Sequence, residues 1–111
     1  MTTGQQQENL EALNLDVQTI ELDSEIQIGG ERLEKIDIRK PNTQALSGIK
    51  IADLLQGDVN SIIKVLPRVS TPTLTLQQAQ QLEPADVAQV GAALMLFLQP
   101  KSQRAEILRQ Q

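Results

Sequence analysis

The sequence predicts an α+β fold, with an N-terminal β-hairpin followed by three to four short α-helices in one small domain. Three observations predict it. Apolar residues alternate with polar ones at Ile20, Leu22, Ile26 and Ile28, break at Gly29-Gly30, and resume at Leu33, Ile36 and Ile38, the pattern of two strands joined by a tight turn. Beyond Pro41 the spacing changes, and Val59, Ile62, Ile63 and Leu66 fall at i, i+3, i+4 and i+7, one stripe of a helix. A chain of 111 residues has room for one core rather than two.

Residues 1–16 are rich in Gln and Glu, with Leu10 and Leu13 set apart, and read as a flexible acidic arm. The domain is expected over residues 17–99. A two-residue turn at Gly29-Gly30 pairs Ile28 with Glu31 and Ile26 with Leu33, but it sets Ile36 opposite Asp23. Aligning the apolar sets therefore needs a bulge, expected around Glu34-Lys35, or a different turn length. Pro41 ends the second strand, and Asn42 or Thr43 caps a weak helix containing Leu46 and Ile49. Ile51, Leu54 and Leu55 form a second apolar cluster, closed by Gly57. Asp58 then caps the helix whose stripe must be buried, and Pro67 ends it.

Ser70-Thr71-Pro72-Thr73 reads as a connector, and Thr75 caps a Gln-rich helix running through Gln81. Pro84 suits the first turn of the last helix, where Asp86 complements the dipole. Val87, Val90, Leu94, Phe97 and Leu98 form the apolar face of that helix before Pro100 stops it. Residues 101–111 read as a tail, with an amphipathic turn around Ile107 and Leu108. The chain shows neither an internal repeat nor a heptad run.

Composition narrows the function. The chain has no Cys, His, Trp or Tyr and a single Phe, which removes the usual nucleophiles, the commonest metal ligands and the stacking groups. It also excludes disulfides and Cys-ligated zinc and fits a reducing cytoplasm. The core must be aliphatic and small, so stability is expected to be modest and to gain from a partner or a homo-oligomer. The net charge of −4 is unevenly spread. Residues 1–31 carry seven acidic and no basic side chains, whereas residues 32–68 carry seven basic and four acidic ones. Solvation is the plain reading of the acidic front. Without a basic stripe or aromatics, nucleic acid is not an expected partner. The N-terminus has no signal-peptide pattern, and the apolar run 92–98 is far shorter than the ~20 residues a bilayer requires. A soluble, intracellular protein that does not bind membranes is expected.

The available carboxylates, Ser, Thr, Lys and Arg form no recognised catalytic or metal-binding spacing, so no catalytic residue, cofactor or metal is expected and an enzyme is the least favoured class. Glu21, Asp23 and Glu25 alternate along a strand and read as a solubilising face. Arg39 and Lys40 are two cations at a strand end, where a partner carboxylate can dock. The plainer reading lays the Arg39 stem over the hairpin and leaves Lys40 in solvent. Leu94, Met95, Leu96, Phe97 and Leu98 are more apolar positions than one helix face buries. Core packing accounts for Leu94, Phe97 and Leu98, while Met95 and Leu96 require a covering helix or a partner.

Four blocks in order carry a resemblance: LEKIDIRKP from Leu33, LSGIKIADLL from Leu46, DVNSIIKVLPR from Asp58 and LEPAD from Leu82. Together they resemble the phage tail assembly chaperone family of Mu-like and related contractile-tailed phages, the tail assembly protein E group, over residues 18–98. The resemblance implies a non-enzymatic factor in the host cytoplasm that binds the tape measure protein and keeps it soluble until tail tube subunits polymerise. It implies absence from the mature virion and a longer form made by ribosomal frameshifting, with which co-assembly is expected; the tail tube protein is a further partner. The family supplies no site residues, so the expected contacts are Leu94, Met95, Leu96, Phe97 and Leu98, with Arg39 and Lys40 as an electrostatic supplement. The alternatives are a small tail or baseplate subunit retained in the virion and a transcriptional regulator. The acidic pI and the lack of a basic recognition helix disfavour the regulator.

Overall fold

The hairpin dominates the first half of the computed structural model, which describes residues 16–110. Strand β1 (Val17–Ile28) and strand β2 (Glu31–Arg39) pair antiparallel. Gly29 and Gly30 both take positive φ, 58° and 83°, as a two-residue type I′ turn demands, and glycine meets that demand without steric cost. Ile28 faces Glu31 and Ile26 faces Leu33, but beyond the turn the register shifts, and Glu21 faces Lys35. Four residues of β1, 22–25, thus oppose Glu34 alone. The expected bulge exists, but its extra residues lie on β1 rather than around Glu34-Lys35. The shift sets Ile20 opposite Ile36, where an unbroken ladder would have set Asp23. Ile20, Ile36 and Ile38 are all buried.

A short third strand, β3 (Ser70–Thr71), adds to β2 through Asp37 with Thr71 and Ile38 with Ser70, giving the sheet order β1-β2-β3. The sequence reads this stretch as a connector because two residues carry no periodicity. The Thr71-Pro72 peptide bond that follows is cis.

The expected helix around Leu46 is instead a run of turns over residues 43–48. Asn42 Oδ1 accepts the Ala45 N–H at 2.7 Å, and i to i+3 backbone bonds reach Leu46, Ser47 and Ile49. Gly48 at φ 77° lies within it, so no α-helical ladder propagates. Helix α1 (Ile51–Leu55) buries Leu54 alone, leaving Ile51 and Leu55 half-exposed. Helix α2 (Val59–Val69) buries Ile62, Ile63, Val65, Leu66 and Val69. Its first stripe position, Val59, is 57% exposed, contrary to the expectation that the whole stripe is covered. Pro67 does not end this helix, which runs two residues further. Proline removes one N–H donor from the ladder, and the Ser70 N–H closes the end on the Leu66 carbonyl.

Helix α3 (Leu76–Gln80) starts with a capping box. Thr75 Oγ1 accepts the Gln78 N–H at 3.1 Å, and Gln78 Oε1 accepts the Thr75 N–H at 2.9 Å. Such reciprocal bonds satisfy two otherwise orphaned donors. Helix α4 (Pro84–Phe97) packs on β1, α1 and α2 and buries Val87, Val90, Ala93, Leu94 and Phe97. Residues 101–111, read as a tail, contain a helix, α5 (Lys101–Gln110), carrying an Arg109–Glu106 ion pair at 3.3 Å. The acidic arm lies outside the described residues except for Asp16, and so does the side chain of Leu108.

Candidate functional site

Helix α4 positions the candidate site, and its attachment to the sheet depends on one buried carboxylate. Asp86 is wholly buried. Its Oδ1 accepts the Asp23 N–H at 2.6 Å and Gln89 Nε2 at 3.2 Å, while Oδ2 accepts the Ser24 N–H at 3.3 Å. Gln89 Nε2 also donates to the Glu21 carbonyl at 3.0 Å. A bulge leaves ladder groups without strand partners, and two α4 side chains one turn apart supply them. Sequence reasoning assigned Asp86 to the helix dipole and missed this role. Its partners lie 62 and 63 residues away, and the only sequence signal was the register conflict that required a bulge.

With Val90, Leu94 and Phe97 turned inward, α4 presents Ala88, Ala92, Met95 and Leu96 on its other side. Ala88 and Ala92 are exposed, and Met95, Leu96 and Leu98 are half-buried. Two grooves flank this ridge. One, of about 470 Å³, lies between residues 18–20 of β1 and the α4 residues Ala92, Met95 and Leu96, and Ile107 of α5 also lines it. The other, of about 560 Å³, lies between α2 and α4 and is lined by Val59, Ile63, Leu82, Val87 and Gly91 among others. Met95 lines both. A Cβ on Gly91 would stand 2.9 Å from Ile62 Cδ1, so glycine here permits the close approach of α2 to α4.

The expected contact residues thus divide. Leu94 and Phe97, 0% and 2% exposed, are core and offer a partner no surface. Met95, Leu96 and Leu98 do offer one. Arg39 and Lys40 line neither groove. The Arg39 guanidinium donates to Thr71 Oγ1 at 3.0 Å and to the Arg68 carbonyl at 3.1 Å, fastening β2 to β3 and the end of α2. Arg68 in turn donates to the Ala45 and Ser47 carbonyls at 2.8 and 2.9 Å. Lys40 is exposed, and its backbone N–H donates to the Asp16 carbonyl at 2.7 Å.

Among the described residues no cluster of acidic side chains is arranged to hold a metal ion, and no helix is long and apolar enough to cross a membrane. Glu21, Asp23 and Glu25 are exposed, alternating with half-buried Leu22, Ser24 and Ile26. Asp58 acts as the expected cap, accepting the Ser61 hydroxyl at 2.7 Å and the Ser61 N–H at 2.9 Å. These bonds, the hydroxyl first, with a smaller contribution from Lys64, hold its carboxyl below the ordinary value of 3.8. Among the described residues, the ridge and its two grooves offer apolar surface at the exterior of the fold.

Residues 19–99 match the family model described as phage tail assembly chaperone proteins, E, or 41 or 14. The match runs from β1 to just past α4 and leaves out the arm and α5. The chain is 34% identical over 83 residues to Tail assembly protein E of Escherichia phage P2, covering 75% of this chain and 91% of that protein. It is 33% identical over 79 residues to Tail assembly protein E′ of the same phage, covering 71% of this chain and 56% of E′, the longer relative. No solved structure matches it.

Proposed function

The chain belongs to the phage tail assembly chaperone family, and on that premise we propose that it is a non-enzymatic assembly factor that binds the tape measure protein. It keeps that client soluble in the host cytoplasm until tail tube subunits polymerise around it, and it is absent from the finished virion. The observation that carries this reading is the ridge of Met95 and Leu96 on α4, half-exposed between two grooves. A long helical client exposes apolar side chains before the tube encloses them. A flexible thioether flanked by apolar grooves suits such a surface, because Met adapts to varied side chains.

Leu98 extends the contact, whereas Leu94 and Phe97 support it from beneath. Arg39 is committed to Thr71 and Arg68, which leaves Lys40 as the cation for a client carboxylate. Phage P2 has a shorter E and a longer E′, and both match this chain. That pairing supports a second, longer product here too, made by frameshifting and co-assembling with the first.

Co-expression with the tape measure protein of the same phage tests the function. The client is expected in the soluble fraction and to co-purify with this chain. An insoluble client, or this chain found by mass spectrometry in purified particles at subunit stoichiometry, overturns the reading in favour of a retained tail or baseplate subunit.

A further inference from the structure

Helix α5 does not continue α4. Pro100 brings no N–H to the helical ladder, so α4 ends at Phe97 and a separate helix begins at Lys101. Ile107 of that helix shares the groove between β1 and α4 with Gln18 and Ala92. Were the two helices one, Ile107 would stand about 22 Å from Ala92, so the chain bends back after Pro100 and returns α5 to the ridge. The lengths agree. Phe97 back to Ala92 is about 7.5 Å along α4, and Lys101 to Ile107 is about 9 Å along α5.

The attachment of α5 is slight. Ser102, Gln103 and Gln110 are exposed, and Glu106 and Arg109 pair with each other while more than half exposed. Ile107, itself 38% exposed, is the described α5 side chain that lines the groove. Among the described residues α5 packs extensively on no other element. The family match stops at Gln99, so Met95 and Leu96 belong to a unit to which α5 is an addition.

We propose that α5 is a strap: Ile107 occupies the β1–α4 groove, closes that side of Met95 and Leu96, and leaves when α5 swings about Gln99-Pro100. One partly covered isoleucine sets the strength of the closure. Its burial favours the closed form by a factor of about five to ten, so both forms are populated and anything that binds the ridge from the β1 side competes with α5. A site open in a minor fraction of molecules binds more weakly by that fraction. Among the described residues no α5 side chain lines the groove between α2 and α4, which the strap leaves open. On the proposed function the competitor is the client, and only that consequence rests on that reading.

Met95 reports on the strap without a client, because peroxide converts an accessible Met to its sulfoxide. In the full chain, Ile107→Ser is expected to raise the rate of peroxide oxidation at Met95 about threefold, with the thermal midpoint unchanged. An unchanged rate overturns the strap. The absence of cysteine allows the strap to be fastened. Gln18→Cys with Ile107→Cys, at two positions lining one groove, is expected to form an intrachain disulfide about tenfold faster than Asn60→Cys with Ile107→Cys, because Asn60 lines the other groove. Equal rates overturn it. With the tape measure protein added, Ile107→Ser is expected to lower the Kd about fivefold, whereas the disulfide form is expected to lose the client and regain it on reduction. A client held less tightly by Ile107→Ser makes α5 part of the contact and overturns the strap, as does equal binding by the disulfide and reduced forms. A parent chain that holds no tape measure protein overturns the proposed function instead, and the Met95 and disulfide rates still decide the strap.

Discussion

Helices α2 and α4 lie against each other at Gly91 and Ile62, yet they are specified in different ways. Helix α2 is settled largely by its own residues. Asp58 caps it through Ser61, three positions on, and apart from Val59 its apolar stripe goes into the core. Helix α4 is settled by distant ones. Its buried Asp86 serves a bulge more than 60 residues away, and it carries apolar side chains on more sides than the fold covers. A helix that uses all its apolar residues for folding has none left for binding. Helix α4 has Met95 and Leu96 left, half-buried at its surface, and the proposed function places its contact there.

The largest effect that sharpens this contrast is expected in the inner face of α4. Phe97→Ala should cost about 3–5 kcal/mol, as loss of a buried aromatic ring does. Val59→Ala on α2, at a position 57% exposed, should fall within about 0.5 kcal/mol of the parent. Urea unfolding of both variants measures the difference. A Val59→Ala loss comparable with that of Phe97→Ala would break the contrast, since the first position of α2 would then be core.

Asp86→Ala comes next, at about 2–4 kcal/mol, because it leaves the Asp23 and Ser24 N–H groups without their acceptor. Hydrogen exchange at those two amides should accelerate ahead of the rest of β1. Asp86→Asn keeps an acceptor oxygen but places an NH2 where the carboxylate received a second donor, so it should fall between the parent and the alanine variant. Equal protection of Asp23 and Ser24 in all three proteins would show that the bulge holds without α4.

Asp58→Ala should have a smaller effect, and one that depends on pH. The folded-state carboxyl titrates below its ordinary 3.8, so the folded state binds the proton less readily than the unfolded state. The stabilisation is therefore fully present above about pH 3.8 and is lost as pH falls through the lower folded value. The gap in thermal midpoint between parent and variant should be constant from pH 7 to pH 5 and should narrow in acid below 3.8. A gap that stays constant down to pH 2 would remove the carboxylate charge from the account of the α2 cap.

The same contrast explains what the sequence revealed. Asp58 and Thr75 were legible because a cap acts on a residue three positions away, and Pro84 because its fixed φ and missing N–H suit a first helical turn. The Gly29-Gly30 turn was legible because two positive φ angles restrict the choice of residue. The need for a bulge or another turn length was legible from arithmetic, since Ile36 cannot face Asp23 on a buried surface. Its location on β1 was not, because that depends on Asp86 and Gln89 arriving from α4. The two residues of β3 left no periodic trace. Arg39 read as an available cation because Thr71 and the Arg68 carbonyl, which occupy it, are brought close only by the folded end of α2. At the candidate site, the surplus of apolar residues from Leu94 to Leu98 could be counted in the sequence. Which of them face outward was fixed by the contacts of α4 with β1, α1 and α2.

The smallest effect on stability and the most informative effect on function are expected from one variant, Met95→Ser with Leu96→Ser. Both side chains are half-buried at the surface of α4, so the folded state loses little packing and the change in stability should stay within about 1 kcal/mol. The same substitutions place two hydroxyls on the ridge between the grooves, where a client's apolar side chains would have to be desolvated against them. Co-purification of the tape measure protein should then fail while circular dichroism and the urea midpoint remain close to the parent's. Phe97→Ala gives the complementary case, because any client it loses is lost through unfolding and should return under conditions that restore the fold. If the serine variant retains its client, the ridge is not the contact, and the search moves to the exposed Ile51, Leu55 and Leu76 on α1 and α3. If it unfolds, Met95 and Leu96 belong to the core, and α4 has no more surface to spare than α2.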